Sequence, residues 1–276
     1  INTLTSLYDF LSESSITRTD FIIALGGGVV GDLTGFAAAS FLRGIPFVQI
    51  PTTLLAQVDS SIGGKTAVNI KAGKNLVGAF HQPSLVICDI NTLLTLKPET
   101  FCDGMGEVIK YAVAFSKPLF EILQESDIKE VLDDVILKCI NCKKEVVQAD
   151  EKEAEERMKL NFGHTIGHAI EKYYNYKGIT HGQAVAVGIY KITKQSEKLG
   201  ITKPGNVDRI KKLLEKFKLP VTTSITDEEI LKNSLSDKKR HSDKMTIVVS
   251  PEIGDSKLMT LSIDDYKQFL ISKINN

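Results

Sequence analysis

The sequence predicts two domains of different class. One is an α/β N-terminal domain of the Rossmann-like, dinucleotide-binding type over residues 1–96, and the other an all-α, metal-binding C-terminal domain over residues 97–276. Three observations predict this division. Gly26, Gly28 and Gly31 fit a G-x-G-x-x-G pattern directly after an apolar run and at the head of an Ala-rich one. That is the strand–turn–helix arrangement in which bare backbone can approach a pyrophosphate. After Pro98 the apolar residues change from short blocks to the three- and four-residue recurrence of helices. Finally, three of the five histidines (His164, His168 and His181) fall within eighteen positions of that helical half.

The elements follow in order. Residues 21–25 are an apolar run of strand formers ending at the glycines, and residues 32–41 suit a short helix. Residues 46–51 read as a second strand fenced by prolines, and residues 84–89 as a third, apolar on both faces and so predicted to be buried on both. Between them, residues 59–78 read as a long polar loop carrying Gly63, Gly64, Lys65, Gly73, Lys74 and Asn75, a length that marks a functional or a disordered loop. Helical spacing then runs through 103–123, 128–150, 157–174, 183–199 and 205–217, with a last strand at 245–249 after the basic run at 238–240.

Composition excludes several classes. With 276 residues, 42% hydrophobic and 25% charged, the chain can bury a full core. Lys plus Arg and Asp plus Glu both number 34, giving a formal net charge of zero. Nucleic-acid and membrane-surface proteins usually carry a basic excess, so neither partner is expected. No apolar run approaches the roughly 18 residues of a membrane span, and no signal peptide is visible. Four cysteines (Cys88, Cys102, Cys139 and Cys142) are too few and too irregular for a disulfide framework. A cytoplasmic protein is expected. The chain opens on Ile1 rather than Met, which predicts that a natural N-terminal segment precedes it.

The chemistry-bearing residues divide by half. In the first, the acidic residue that a dinucleotide fingerprint expects about 20 residues on is missing, since Arg43 and Gly44 stand near that position. Gly63-Gly64-Lys65-Thr66 resembles the end of a phosphate loop, but Asp59 occupies the place of its first glycine, so an NTPase is excluded. Lys65, Lys74, Lys110, Lys143, Arg157, Lys238 and Lys239 would hold a phosphate or carboxylate substrate if they converged; singly, each reads as a solvated cation. In the second half, His164 and His168 stand four apart, on one face of a helix, a spacing that suits zinc. Thr165 follows His164, so the zinc-peptidase pattern H-E-x-x-H is absent. His181 could supply another ligand, and Glu107, flanked by Gly104 and Gly106, a carboxylate. Cys139, Cys142, His81 and His241 read as structural.

Taken together, these motifs resemble one family. Residues 24–32 (ALGGGVVGD) and 49–65 (QIPTTLLAQVDSSIGGK), followed in order by Gly73-Lys74-Asn75-Leu76 and by residues 104–110, 161–171 and 181–188, closely resemble the 3-dehydroquinate synthases across roughly residues 20–255. The resemblance implies the dehydroquinate synthase-like fold, with an NAD-binding α/β domain and a helical domain holding Zn2+ or Co2+. It assigns the metal to Glu107, His164 and His181, with His168 a nearby polar or proton-relay residue and not a ligand. NAD contacts fall on Gly26, Gly27, Gly28, Asp32, Thr52, Thr53, Asp59, Lys65, Lys74 and Thr95, and substrate contacts on Arg43, Asp59, Lys65, Asn75, Lys238 and Lys239. Lys110, Lys143, Arg157, Asn161 and His168 take catalytic roles. Arg43 matches an arginine that reaches the neighbouring subunit's phosphate site, which implies a homodimer.

The implied activity converts 3-deoxy-D-arabino-heptulosonate 7-phosphate to 3-dehydroquinate and phosphate, a step of the shikimate pathway. It runs by transient oxidation at C5, phosphate β-elimination, re-reduction and an intramolecular aldol, and NAD is regenerated. The alternative is a related sugar-phosphate cyclase that makes 2-deoxy-scyllo-inosose or an epi-valiolone. A polyol dehydrogenase and a non-catalytic metal-binding relative stand further off. The sequence departs from the family at Gly106, where Ala is common, and at Gln183, where Glu is common. Family members also carry several dozen residues before the match; without them the sheet is expected to show a bare edge and an apolar face.

Overall fold

The computed structural model describes residues 1–151, 155–235 and 243–271. Its first element is a helix that the apolar spacing of the opening residues leaves unpredicted: α1 (Asn2–Glu13) buries Leu4 and Leu11. There follow β1 (Ile22–Gly26), α2 (Gly28–Ser40), β2 (Phe47–Pro51), β3 (Lys65–Ile70), β4 (Gly73–Phe80) and β5 (Leu85–Val86). Strands β1, β2 and β5 form a parallel sheet in the order β1-β2-β5, with Gly26 opposite Pro51 at its C-terminal edge. Small residues explain where α2 sits. A Cβ on Gly31 would stand 2.6 Å from Gln49 Oε1, and one on Gly35 would overlap the Thr66 methyl and approach Phe47 Cζ to 3.1 Å. Only a helix this bare on two sides packs closely against both the sheet and β3.

Two expectations need correction here. Residues 59–78 are not a loop: a π-helical turn, Ala56–Ser60, leads into the antiparallel hairpin β3–β4, with Val68 opposite Val77 and an irregularity between Val68 and Ile70. Thr66 and Val68 are buried while most of β4 is exposed, so a hairpin covered on one side only reads as polar sequence. The third strand pairs over two residues alone, and Leu85 and Ile87 are exposed rather than buried. With Ile23 (53% exposed) and Leu25 (62% exposed) they make an uncovered apolar sheet face, Ile23 and Leu85 both pairing with Val48.

The chain divides into two compact units, Ile1–Gly104 and Met105–Asn276, the division falling inside α3 (Pro98–Ala114). The second unit continues with α4 (Lys117–Glu125), α5 (Ile128–Ala149), α6 (His164–Tyr173), α7 (His181–Lys198), α8 (Asn206–Lys216), α9 (Asp227–Leu235), β6 (Lys244–Val249), β7 (Lys257–Ser262) and α10 (Ile263–Ile271). It is helical apart from the antiparallel hairpin β6–β7. The helix expected over 103–123 is two, because Ser116 caps α4, its Oγ accepting from the Leu119 N–H at 3.3 Å, with proline in the first turn. The helix expected over 157–174 is also broken. A 3-10 turn, Glu156–Asn161, ends before Gly163, whose φ of +80° no helix continues through. The core is built on α3 and α7, where Val108, Ile109, Val113, Val185, Val187 and Ile189 are fully buried. Among the described residues no helix is long and apolar enough to cross a membrane.

Candidate active site

Close backbone approach positions the helical unit's site. A Cβ on Gly188 would overlap the Gly163 carbonyl oxygen, and one on Gly167 would meet the Ala184 and Val185 backbone at 3.2 Å, so α6 and α7 pack with little side chain between them. A Cβ on Gly106 would stand 2.6 Å from Gly182 Cα, which sets α3 against the first turn of α7. The neighbours of those two glycines are Glu107 and His181. Gln183 has a structural explanation of its own: its Oε1 accepts from the Thr180 N–H at 3.1 Å, half of a capping box that Glu or Gln completes equally well.

Three donor atoms converge as a result. Glu107 Oε1 lies 3.4 Å from His164 Nε2 and 3.2 Å from His181 Nε2. The other ring nitrogens are committed elsewhere. His164 Nδ1 is 3.1 Å from the Phe162 carbonyl, and His181 Nδ1 is 3.3 Å from Glu171 Oε2. Each Nδ1 therefore carries the proton, which leaves both Nε2 lone pairs facing Glu107. Three acceptor atoms this close repel unless a cation stands between them. Bonds of about 2.1 Å in a tetrahedral zinc site put donor atoms about 3.4 Å apart, close to the separations observed. The donor set of two imidazoles and a carboxylate suits Zn2+ or Co2+.

The electrostatics agree. Burial would raise the Glu107 carboxyl, but Lys110 and His164 outweigh it and hold the group well below its usual range. Lys110 Nζ lies 2.5 Å from Glu107 Oε2, and both side chains are almost wholly buried. Burial would lower the His181 imidazole, but Glu107 and Glu171 push it up to about 10. Without a metal, a proton on His181 Nε2 can stand in for the cation, favoured by the carboxylates on either side.

Other expected residues take up distinct places. His168 is exposed, edge-on to His164 with ring centroids 5.2 Å apart. Lys143 and Arg157 are buried in the same unit, Lys143 on α5 and Arg157 in the 3-10 turn. Asp150 shapes that turn: its Oδ2 accepts from the Glu155 and Arg157 N–H groups at 2.8 and 3.1 Å, while Arg157 Nη1 donates to the Glu151 carbonyl at 2.5 Å. Asn161 ends the turn, half-buried. Lys238 and Lys239 lie outside the described residues. Glu171, which the sequence reading assigns no role, stands seven residues after His164; that spacing on one helix face is the signal that could have found it.

The glycine turn occupies the other unit. Gly26 ends β1, Gly28 opens α2, and the Thr52 N–H donates to the Gly26 carbonyl at 2.9 Å. A Cβ on Gly28 would meet Ser60 Oγ at 2.8 Å and one on Gly27 the Thr53 methyl at 3.1 Å, so Ser60 and Thr53 close on a turn without side chains at a helix N-terminus beyond the strand ends. That cradle fits a pyrophosphate. Gln57, fully buried, ties the edge together: its Nε2 donates to the Pro51 and Asp89 carbonyls and to Thr92 Oγ1 at 3.0–3.1 Å. Asp32 is half-buried on α2, and Asp59 lies in the π-helical turn. Lys65, Lys74 and Asn75 are exposed on the hairpin, and Thr95 is exposed at the end of a 3-10 turn. Arg43 is exposed after Leu42, both in left-handed backbone (φ 69° and 50°).

Comparison with known proteins is consistent with this arrangement. The 3-dehydroquinate synthase N-terminal family matches residues 1–103, and the 3-dehydroquinate synthase C-terminal family residues 104–240. A 3-dehydroquinate synthase of Clostridium botulinum is 51% identical over 271 residues, which cover 96% of this chain and 77% of that protein. Among solved structures, a 2-epi-5-epi-valiolone synthase from Streptomyces hygroscopicus with NAD+ and Zn2+ bound superposes with a TM-score of 0.87 at 25% identity, covering 98% of this chain and 78% of that one. A 2-deoxy-scyllo-inosose synthase complexed with carbaglucose-6-phosphate, NAD+ and Co2+ gives 0.84 at 28%, with the same coverage. By its family matches and its identity to a relative that it covers to 77%, the chain belongs to the 3-dehydroquinate synthase family.

Proposed function

We propose that the protein converts 3-deoxy-D-arabino-heptulosonate 7-phosphate to 3-dehydroquinate and inorganic phosphate, with NAD and one Zn2+ or Co2+ as resident groups, in the biosynthesis of aromatic amino acids. The observation that carries the reading is the convergence of Glu107, His164 and His181 beside Lys110, in a chain 51% identical to a 3-dehydroquinate synthase. When bound, the metal supplies a Lewis acid at a substrate hydroxyl and NAD a hydride acceptor that is restored within the cycle.

The chain's own residues supply the rest. Glu107, His164 and His181 hold the metal. Gly26, Gly27, Gly28, Asp32, Thr52, Thr53, Asp59, Lys65, Lys74 and Thr95 hold NAD, the glycines by letting backbone approach its pyrophosphate. Lys110 keeps Glu107 ionised and offers Nζ–H donors to substrate oxygens. Lys143, Arg157 and Asn161 grip the substrate's polar groups; a buried guanidinium already tied to the Glu151 carbonyl loses little freedom on binding. His168 carries a proton away from the reacting hydroxyl on its imidazole. Asp59, Lys65, Asn75, Lys238 and Lys239 bind substrate, and lysine charge favours a leaving phosphate. The substrate's own phosphate can act as the base for its elimination. Arg43 serves a partner subunit in a cytoplasmic homodimer; its exposure and its left-handed turn support that role.

A sister sugar-phosphate cyclase activity is the second reading, favoured only by the TM-scores of 0.84 and 0.87 at 28% and 25% identity. The deciding assay follows phosphate release from the heptulosonate phosphate with NAD and Zn2+ while watching absorbance at ~340 nm for NADH. Phosphate released one-for-one with dehydroquinate, abolished by a chelator and without NADH build-up, is expected. NADH accumulating without phosphate would make the protein a dehydrogenase. No phosphate release from this substrate would sink the synthase reading.

A further inference from the structure

Glu171 is a carboxylate where carboxylates are costly: on α6, 4% exposed, its Oε2 3.3 Å from His181 Nδ1. We infer that Glu171 is a positioning residue for the metal, acting through His181. The inference rests on the metal role proposed for Glu107, His164 and His181. By accepting the Nδ1–H of His181, Glu171 holds that imidazole in the tautomer and orientation that aim Nε2 at Glu107.

The two imidazoles are not equivalent. His164 is backed by a neutral carbonyl, that of Phe162, and His181 by a full negative charge. A carboxylate behind an imidazole makes it the stronger donor, so His181 is the tighter of the two nitrogen ligands. Position adds a reason for the charge. His164 and His181 are each the first residue of a helix, and the positive ends of two helix dipoles disfavour a dication. Glu107 and Glu171 offset this from opposite sides of His181. With neutral imidazoles, a divalent ion and Lys110 against those two carboxylates leave a single net positive charge, which one substrate oxyanion balances. Without Glu171 the excess doubles, and with it the cost of holding the metal.

His168, Glu171 and His181 also offer ligand atoms within 4.8 Å of one another, so the test must separate a positioning carboxylate from a direct ligand. Zinc affinity is measured by competition with a chromophoric chelator on the metal-stripped protein, and the visible spectrum is recorded after loading with Co2+. Once the proton that competes at His181 is allowed for, Glu171→Gln is expected to bind one zinc about ten- to a hundredfold more weakly. Its Co2+ band should keep the parent's intensity, because the ligand set is unchanged; a merely structural residue would leave zinc affinity alone. Glu171→Asp, which keeps the charge but draws it back by one methylene, should fall between. Affinities of both variants within about twofold of the parent overturn the inference, and an Asp variant no weaker than the parent does so even where the Gln variant fails to fold. A Co2+ band that changes intensity makes Glu171 a ligand instead. A parent protein that binds no zinc overturns the metal reading itself, whereas a zinc-binding parent matched by its variants overturns this inference alone.

Discussion

A carboxylate oxygen 3.2 and 3.4 Å from two imidazole nitrogens is stable only with positive charge between them, and without a metal a proton on His181 can supply it. The proton sets a pH dependence whose sign is fixed. Zinc needs the neutral imidazole, and with the group raised to about 10 only roughly a thousandth of it is neutral at pH 7. Glu107, held well below its usual range, contributes no proton. Apparent zinc affinity should therefore rise about tenfold per unit from about pH 6 to about pH 8, with one proton released per ion. Calorimetry in buffers of different ionisation enthalpy reads that proton directly; a flat affinity profile would remove His181 from the ligand set. Replacing Glu107 by Gln should weaken zinc more than about a hundredfold, since a ligand is worth more than the partner behind it. Retained stoichiometric zinc after dialysis of that variant would count against the site. Spacing in the sequence offers His164 and His168 as one pair. Glu107 and His181 are offered there singly, and it is the resemblance of the surrounding motifs to the family that joins them to His164; the physical cause, the turn of chain at Gly163 and the contact of Gly106 with Gly182, is packing that no local pattern carries.

Helix α6 begins where it does because Gly163 takes a φ of +80° with α7 pressed against it: a Cβ there would lie 2.7 Å from Ile189 Cγ1 and 2.9 Å from the Val185 carbonyl. Gly178 has a similar φ, +86°, and nothing within 4 Å. The two positions separate backbone strain from close packing. Gly178→Ala should cost only the left-handed penalty of about 1–2 kcal/mol, a few degrees of melting temperature. Gly163→Ala carries the same penalty plus the cost of parting α6 from α7, and should lose zinc affinity as well because His164 is the next residue. Equal melting temperatures for the two variants would show that α6 and α7 yield freely. Sequence periodicity finds α5, α7 and α8 because each repeats its apolar face over several turns. It misses the β3–β4 hairpin because β4 is mostly exposed, and it runs α3 into α4 because the break at Ser116 is a capping event inside a continuous apolar rhythm. The glycine turn of β1 and α2 is legible for the opposite reason: its geometry forbids side chains, and three glycines record that directly.

The proposed nucleotide cradle and the proposed metal donors belong to different units, the first built on Gly26–Gly28 within Ile1–Gly104 and the second on Glu107, His164 and His181 within Met105–Asn276. Each owes its shape to its own core: the cradle to the bare faces of α2 against β2 and β3, the donors to glycine contacts among α3, α6 and α7. If the two act independently, their contributions should be nearly additive. Gly28→Ala puts a methyl where backbone must approach a pyrophosphate. Ser60 Oγ, 2.8 Å away, is a small hydroxyl that can rotate aside, so the melting temperature should hold while NAD affinity falls about tenfold or more. Zinc content should not change. Stripping the metal should, on that expectation, leave NAD affinity within about twofold while ending phosphate release, because the reaction needs both groups. Titration calorimetry of NAD against the parent, the metal-stripped protein, Gly28→Ala and the stripped variant closes the cycle. Losses that add would establish two independent sites serving one reaction. A stripped protein whose NAD affinity fell tenfold would instead make the metal an organiser of the nucleotide site, with a coupling free energy of about 1.4 kcal/mol.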